Sequence, residues 1–117
     1  MQIHRWEEMP AERVNDFLSR KLVTGKNVMM AYLYLNKGAV VPEHHHESEQ
    51  ISYIISGALR FKVGEEDFVL NAGETIVIPS NVPHSAYAVA DMVGIDVFSP
   101  IRADWLDGSD HYLRQQK

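Results

Sequence analysis

From Asn27 onward, apolar residues recur in short runs, often at alternate positions, and turn-forming residues break the runs at close intervals. A period near two with frequent breaks marks antiparallel strands folded into a barrel or sandwich. Strands are predicted at Val28–Leu35, Ala39–Pro42, Gln50–Ser56, Ala58–Val63, Phe68–Leu70, Thr75–Ile78, His84–Val89 and Met92–Phe98. Between them, Ser56-Gly57, Val63-Gly64-Glu65, Asn71-Ala72-Gly73 and Asn81 supply residues that tolerate positive φ, as tight turns require. The fold class expected is all-β.

The flanks read differently. Pro10 to Arg20 suits a short helical turn, with Pro10 at a first helical position and Val14, Phe17 and Leu18 at helical spacing. Asp104 to Arg114 reads as a loop with a short helix, anchored by Trp105, Leu106, Tyr112 and Leu113. The run Val28–Leu35 is apolar on both faces, as in a strand lying between layers or at a subunit contact, so a homodimer is expected. Along Met92–Phe98, Val93, Ile95 and Val97 share one face, whereas Met92, Gly94, Asp96 and Phe98 share the other.

A chain of 117 residues is expected to form a single domain spanning 1–117, its barrel core at about 27–99. The formal charge of −5, with no basic run longer than Arg20-Lys21, argues against nucleic acid as a partner. That charge also repels anions at long range, so a site for an anionic small molecule must supply its own positive charge. A metal ion could supply it. Without cysteine, the available ligands are histidine, carboxylate and amide groups. The N-terminus lacks the apolar stretch of a signal peptide and no segment approaches membrane-spanning length, so a cytoplasmic protein with no membrane partner is expected.

His44 and His46 are two apart, so an extended strand turns both toward one face and Glu43, His45 and Glu47 toward the other. Gln50 keeps the parity of His44 and His46 if the strand continues. Three consecutive histidines by themselves are commonly a solvated surface run; the surrounding spacing changes that. The chain reads Gly38-x5-His44-x-His46-x3-Gln50-x6-Gly57 and, after fifteen residues, Gly73-x5-Pro79-x-Asn81-x2-His84. This resembles the two signature motifs of the cupin superfamily, in order. The resemblance implies a jelly-roll barrel holding one divalent transition metal ion on His44, His46, Gln50 and His84. Gln50 stands where glutamate is usual, Asn81 where glycine is usual, and Ala88 where the second motif often ends in asparagine. A neutral amide in place of a carboxylate leaves the charge of the ion less compensated, making it a stronger Lewis acid. Zinc, nickel, manganese, iron and copper all suit imidazole and amide oxygen. His45 is expected to be dispensable, and His4 and His111 to be exposed.

An aspartate in mid-strand, taken alone, is expected to face solvent. Asp96, however, belongs to an Asp-x-Phe-x3-Arg group with Phe98 and Arg102. The run Asp96-Val97-Phe98-Ser99-Pro100-Ile101-Arg102-Ala103-Asp104-Trp105-Leu106, with the glutamine-containing first motif, resembles the small pectin-degradation cupins of the KdgF type. That resemblance implies ring opening of 4,5-unsaturated uronates, with Asp96, Phe98 and Arg102 lining the active site. Asp96 would be the acid/base, Arg102 the group that binds the uronate carboxylate or a neighbouring oxygen, and Phe98 a wall against the sugar; the plainer roles are a salt bridge for Arg102 and core packing for Phe98. Tyr32, Tyr34, Tyr53, Phe61 and Tyr87 are expected mainly to pack. Two other classes stay open: a cupin dioxygenase or other isomerase, and a non-catalytic cupin that binds a sugar or small acid.

Overall fold

The computed structural model of the chain describes residues 1–114. Ten strands form: β1 (Glu12–Arg13), β2 (Leu18–Thr24), β3 (Met29–Leu35), β4 (Val40–His44), β5 (Glu49–Ser56), β6 (Ala58–Val63), β7 (Glu66–Asn71), β8 (Thr75–Ile78), β9 (His84–Ala88) and β10 (Met92–Ser99). Two short helices, α1 (Ala103–Asp107) and α2 (His111–Arg114), follow, and a 3-10 turn lies at Trp6–Glu8. No helix among the described residues is long and apolar enough to cross a membrane.

All pairings are antiparallel, in two sheets that do not close on one another: one ordered β1-β2-β3-β10-β5-β8, the other β4-β9-β6-β7. This is the all-β class expected from the strand pattern, in the jelly-roll arrangement that the cupin resemblance implies. Period-two alternation fills the space between the sheets. Met29, Ala31, Leu33 and Leu35 of β3, Ile54 of β5, Met92 and Phe98 of β10, and Leu59, Phe61, Leu70, Ala86 and Ala88 of the second sheet are buried. Between β5 and β6, Gly57 has φ 80° and its backbone lies so close to Asp91 and Met92 that a Cβ would collide with both.

The helical turn expected over Pro10–Arg20 is not there. The Asn15 side chain accepts hydrogen bonds from the backbone N–H groups of Phe17 (2.7 Å) and Leu18 (3.0 Å), a local turn that competes with helix. Leu18 then opens β2, which pairs along its length with β3. The alternation in β2 was hidden because one of its inward positions is held by Arg20, which is fully buried.

Arg20 ties the C-terminal segment to the sheets. It pairs with buried Asp110 at 2.7 Å and with Glu12 at 3.0 Å, donates to the Trp105 carbonyl at 3.3 Å, and lies 4.4 Å from the Trp105 ring centroid. Arg114 pairs with the same two carboxylates, and the Asn15 side-chain amide donates to the Leu113 carbonyl at 2.7 Å. Trp105 and Leu113 are buried as anchors, whereas Leu106 is exposed.

Candidate metal centre and active-site cavity

The β4–β9 pairing sets His44 directly opposite His84, after a register shift between Val41 and His44. His46 lies just past the end of β4 and Gln50 on β5, which belongs to the other sheet. The strand does not continue from His44 to Gln50: the chain crosses between sheets, as the separate strands predicted at Ala39–Pro42 and Gln50–Ser56 allow, and the amide meets the imidazoles from the other sheet. Asn81 adopts φ 62° and donates its backbone N–H to the His46 carbonyl at 2.8 Å, which gives the asparagine at this turn a physical reason.

One ring nitrogen from each of His44, His46 and His84 lies within 4.8 Å of the others. Each Nδ1 meets a backbone carbonyl: Pro42 for His44 (2.8 Å), Ser48 for His46 (2.9 Å) and Val82 for His84 (2.8 Å). A carbonyl only accepts, so each Nδ1 carries the proton and each Nε2 presents its lone pair. Burial holds the imidazoles neutral, lowering His44 to about 3 and His46 to about 4, with the Arg102 charge and the neighbouring histidines adding to it; His84 is lowered for the same leading reason.

The Gln50 amide is fixed by a chain of donors. Ser52 Oγ donates to Asp96 Oδ1 at 2.6 Å, so its lone pair accepts from Gln50 Nε2 at 2.9 Å. Gln50 Oε1 is thereby turned toward His46 Nε2, 3.1 Å away. Two acceptors at that distance repel unless a cation lies near both. His84 Nε2 is buried and has no hydrogen-bond partner. These residues fit a metal ion: three imidazole lone pairs and an amide oxygen converge, the His84 nitrogen is without a partner, and each histidine is oriented through its other nitrogen. His45 is exposed, as its parity predicts.

The cavity beside this cluster is lined by His44, Gln50, His84, Asp96, Phe98, Arg102 and Tyr112, over an apolar floor that includes Leu33, Leu35, Leu59, Phe61 and Met92. Asp96 faces inward, not to solvent. Burial against that floor pushes its carboxyl up to about 6, while the Ser52 bond and the Arg102 charge hold it down. Phe98 is buried and meets His46 edge-on at 5.8 Å.

Arg102 holds a salt bridge and faces the cavity at once. Its Nε and Nη2 bind Asp104 at 3.1 and 2.9 Å, and Nη2 also donates to the Tyr112 hydroxyl at 2.7 Å. Its Nη1 is buried with no hydrogen-bond partner. The rings of Phe98, Trp105 and Tyr112 surround the guanidinium, with centroids 5.3, 5.1 and 5.9 Å from Cζ. The fork is thus already spent on Asp104, and one nitrogen is left for a ligand.

Sequence reasoning did not single out Ser52, or a cavity position for Tyr112. Ser52 could have been found as a small polar residue at the inward parity of β5, between Gln50 and Ile54. Nothing local marks Tyr112. Of the five aromatics set aside as packing residues, Phe61 is buried in the core, whereas Tyr32 and Tyr34 lie half-buried and Tyr87 exposed. Tyr53, among the cavity's lining residues, is itself largely exposed. His4 and His111 are exposed.

Two facing antiparallel sheets, with imidazoles and an amide meeting above an apolar cavity, define a jelly-roll protein with a histidine cluster that could hold a metal ion. The chain belongs to the cupin domain family, whose model matches residues 31–98. It is 32% identical over 103 residues to the pectin degradation protein KdgF of Dickeya dadantii, covering 86% of this chain and 94% of that one. The structure of KdgF from Halomonas sp. superposes with a TM-score of 0.84 at 30% identity, covering 90% of this chain and 98% of that one. A 3-hydroxyanthranilate 3,4-dioxygenase of Neurospora crassa is 27% identical over 107 residues, 88% of this chain and 53% of that one.

Proposed function

We propose that this protein is a metal-dependent enzyme of uronate metabolism that opens the ring of 4,5-unsaturated uronates to linear keto sugars. The observation that carries the reading is the convergence on one cavity of a carboxylate with a raised pKa, a guanidinium with one free nitrogen, and His44, His84 and Gln50, with His46 completing the cluster beside it. Similarity to a pectin degradation protein along most of both chains supports the substrate class.

The substrate is a cyclic hemiacetal whose ring oxygen is part of an enol ether. Asp96, as carboxylate, takes the proton of the anomeric hydroxyl. The C1–O5 bond breaks as C1 becomes an aldehyde, and the electron pair passes to O5. Asp96 returns the proton to C4, so that the C5 enol becomes a ketone and no other reactant is needed. A divalent ion on His44, His46, Gln50 and His84 would supply Lewis-acid stabilisation of negative charge at the substrate oxygens. Arg102 Nη1 binds the uronate carboxylate, and Phe98 walls the sugar and excludes water. The apolar floor strengthens each of these interactions by lowering the local dielectric.

To test this, freshly generated 4,5-unsaturated galacturonate is mixed with metal-loaded and metal-stripped protein and its alkene absorbance followed. Faster decay only with the loaded protein supports the reading. Decay at the no-enzyme rate with every divalent metal tried would sink it.

A dioxygenase is the second reading, favoured by the similarity to 3-hydroxyanthranilate 3,4-dioxygenase. Turnover that requires dioxygen and is fastest with iron would support it over the isomerase. We further propose that two copies of the chain pair through the outer face of the six-stranded sheet, where Met30, Ile51, Tyr53, Ile55 and Val77 are exposed. A light-scattering mass of one chain would count against this dimer. Soluble cytoplasmic residence is part of the same proposal.

A further inference from the structure

Tyr112 comes from α2, beyond both signature motifs, yet its ring stacks on His44 with centroids 4.5 Å apart and planes 29° apart. Its hydroxyl accepts from Arg102 Nη2 at 2.7 Å and from Trp105 Nε1 at 3.1 Å. Arginine and tryptophan nitrogens can only donate, so both acceptor positions of the phenol oxygen are taken and its own proton must go elsewhere. Among the described residues no acceptor receives it. A phenol keeps its proton at neutral pH, so the hydroxyl remains a donor.

Arg102 Nη1 is a second donor in the same state, on a side chain that is only 5% exposed. Asp104, the nearest carboxylate bound to this guanidinium, is committed to Nε and Nη2. Two unsatisfied donors, on groups hydrogen-bonded to each other, both belong to residues lining the cavity. Donors left unpaired in an apolar cavity are costly, and an anionic ligand with two acceptor oxygens relieves both at once.

We infer that the Tyr112 hydroxyl is a substrate-binding group, pairing with Arg102 Nη1 as a two-donor subsite for one carboxylate and selecting uronic acids over neutral sugars. This inference rests on the reading of the cavity as a uronate site. The stacking on His44 sets the subsite beside the histidine cluster.

D-galacturonate and D-galactose differ by the carboxylate, and neither has the 4,5 double bond, so their binding is read without turnover. Titration calorimetry on metal-loaded protein compares wild type with Tyr112→Phe, which keeps the ring and its stacking. Wild type is expected to prefer galacturonate, and Tyr112→Phe to lose about 10-fold in affinity for it. Galactose affinity and metal content should be unchanged. Equal galacturonate binding by the two proteins, parallel loss of both sugars or of metal, or no preference in wild type would each overturn the subsite. The preference without turnover of unsaturated galacturonate would keep the subsite and sink the reaction; turnover unaffected by Tyr112→Phe, with unchanged galacturonate binding, would do the reverse.

Discussion

Ser52 Oγ donates to Asp96 Oδ1 at 2.6 Å while accepting from the Gln50 amide, so one hydroxyl joins the cavity's carboxylate to the candidate metal ligands. Ser52→Ala removes the group that keeps Gln50 Oε1 turned toward the histidines. Metal affinity should fall about 10-fold or more, as it does when an outer partner of a ligand is lost. Ser52→Thr keeps the hydroxyl and should restore it. Metal titration of both variants checks this; unchanged affinity in Ser52→Ala would show that Gln50 is held by other means.

Asp96 has a folded pKa near 6, raised above its ordinary value chiefly by burial. The base in the proposed reaction is the carboxylate form, so kcat/KM should fall as pH drops below about 6 on this account. Asp96→Asn should lose about 100-fold or more in turnover while retaining metal. A pH profile flat from 5 to 8 in wild type would remove Asp96 from the rate-limiting proton transfer.

The same shift makes Asp96 a stability liability. An acid whose folded pKa is raised binds more protons folded than unfolded between about pH 4 and 6, so its contribution falls as pH rises through that window. Metal-free Asp96→Asn should therefore be more stable than metal-free wild type at pH 7, by on the order of 2 kcal/mol, with the gap closing toward pH 4. Paired denaturant melts at the two pH values measure it; a gap that widens toward pH 4 has the wrong sign.

Much of this was legible in the sequence. The strands from Val28 onward follow from alternation, because Met29, Ala31, Leu33 and Leu35 must share an inward face. His44, His46 and His84 are brought together by turns whose special residues, such as Asn81, are local signals. β2 was not legible, because Arg20 occupies an inward position and its counter-charges, Glu12 and Asp110, are 8 residues before it and far beyond it in the chain. The site for Tyr112 depends on the same long-range pairing, which no periodicity encodes.

Arg20 and Asp110 are both fully buried, so removing either leaves the other charge short of a buried partner, with Glu12 remaining for Arg20 and Arg114 for Asp110. Asp110→Asn should destabilise the fold by about 3 kcal/mol, and Arg20→Met by a similar amount. Because this pair holds the segment that carries Arg102 and Tyr112, galacturonate binding should weaken with it. Melting and titration of the same variants test the link; loss of stability with full galacturonate affinity would break it.

His84→Ala removes a buried ligand nitrogen and should abolish metal binding, whereas exposed His45→Ala should leave it intact. Metal analysis after dialysis distinguishes them, and the opposite pattern would overturn the assignment of the ligand face.

Ring opening is tested most directly by proton NMR and mass spectrometry of 4,5-unsaturated galacturonate incubated in deuterated water, without dioxygen, with metal-loaded protein. Ring opening predicts loss of the vinyl C4 proton signal faster than in the protein-free control, deuterium at C4, and a product isomeric with the substrate apart from that exchange. A vinyl signal that decays no faster than the control, or turnover only when dioxygen is admitted with added oxygen in the product, would contradict it.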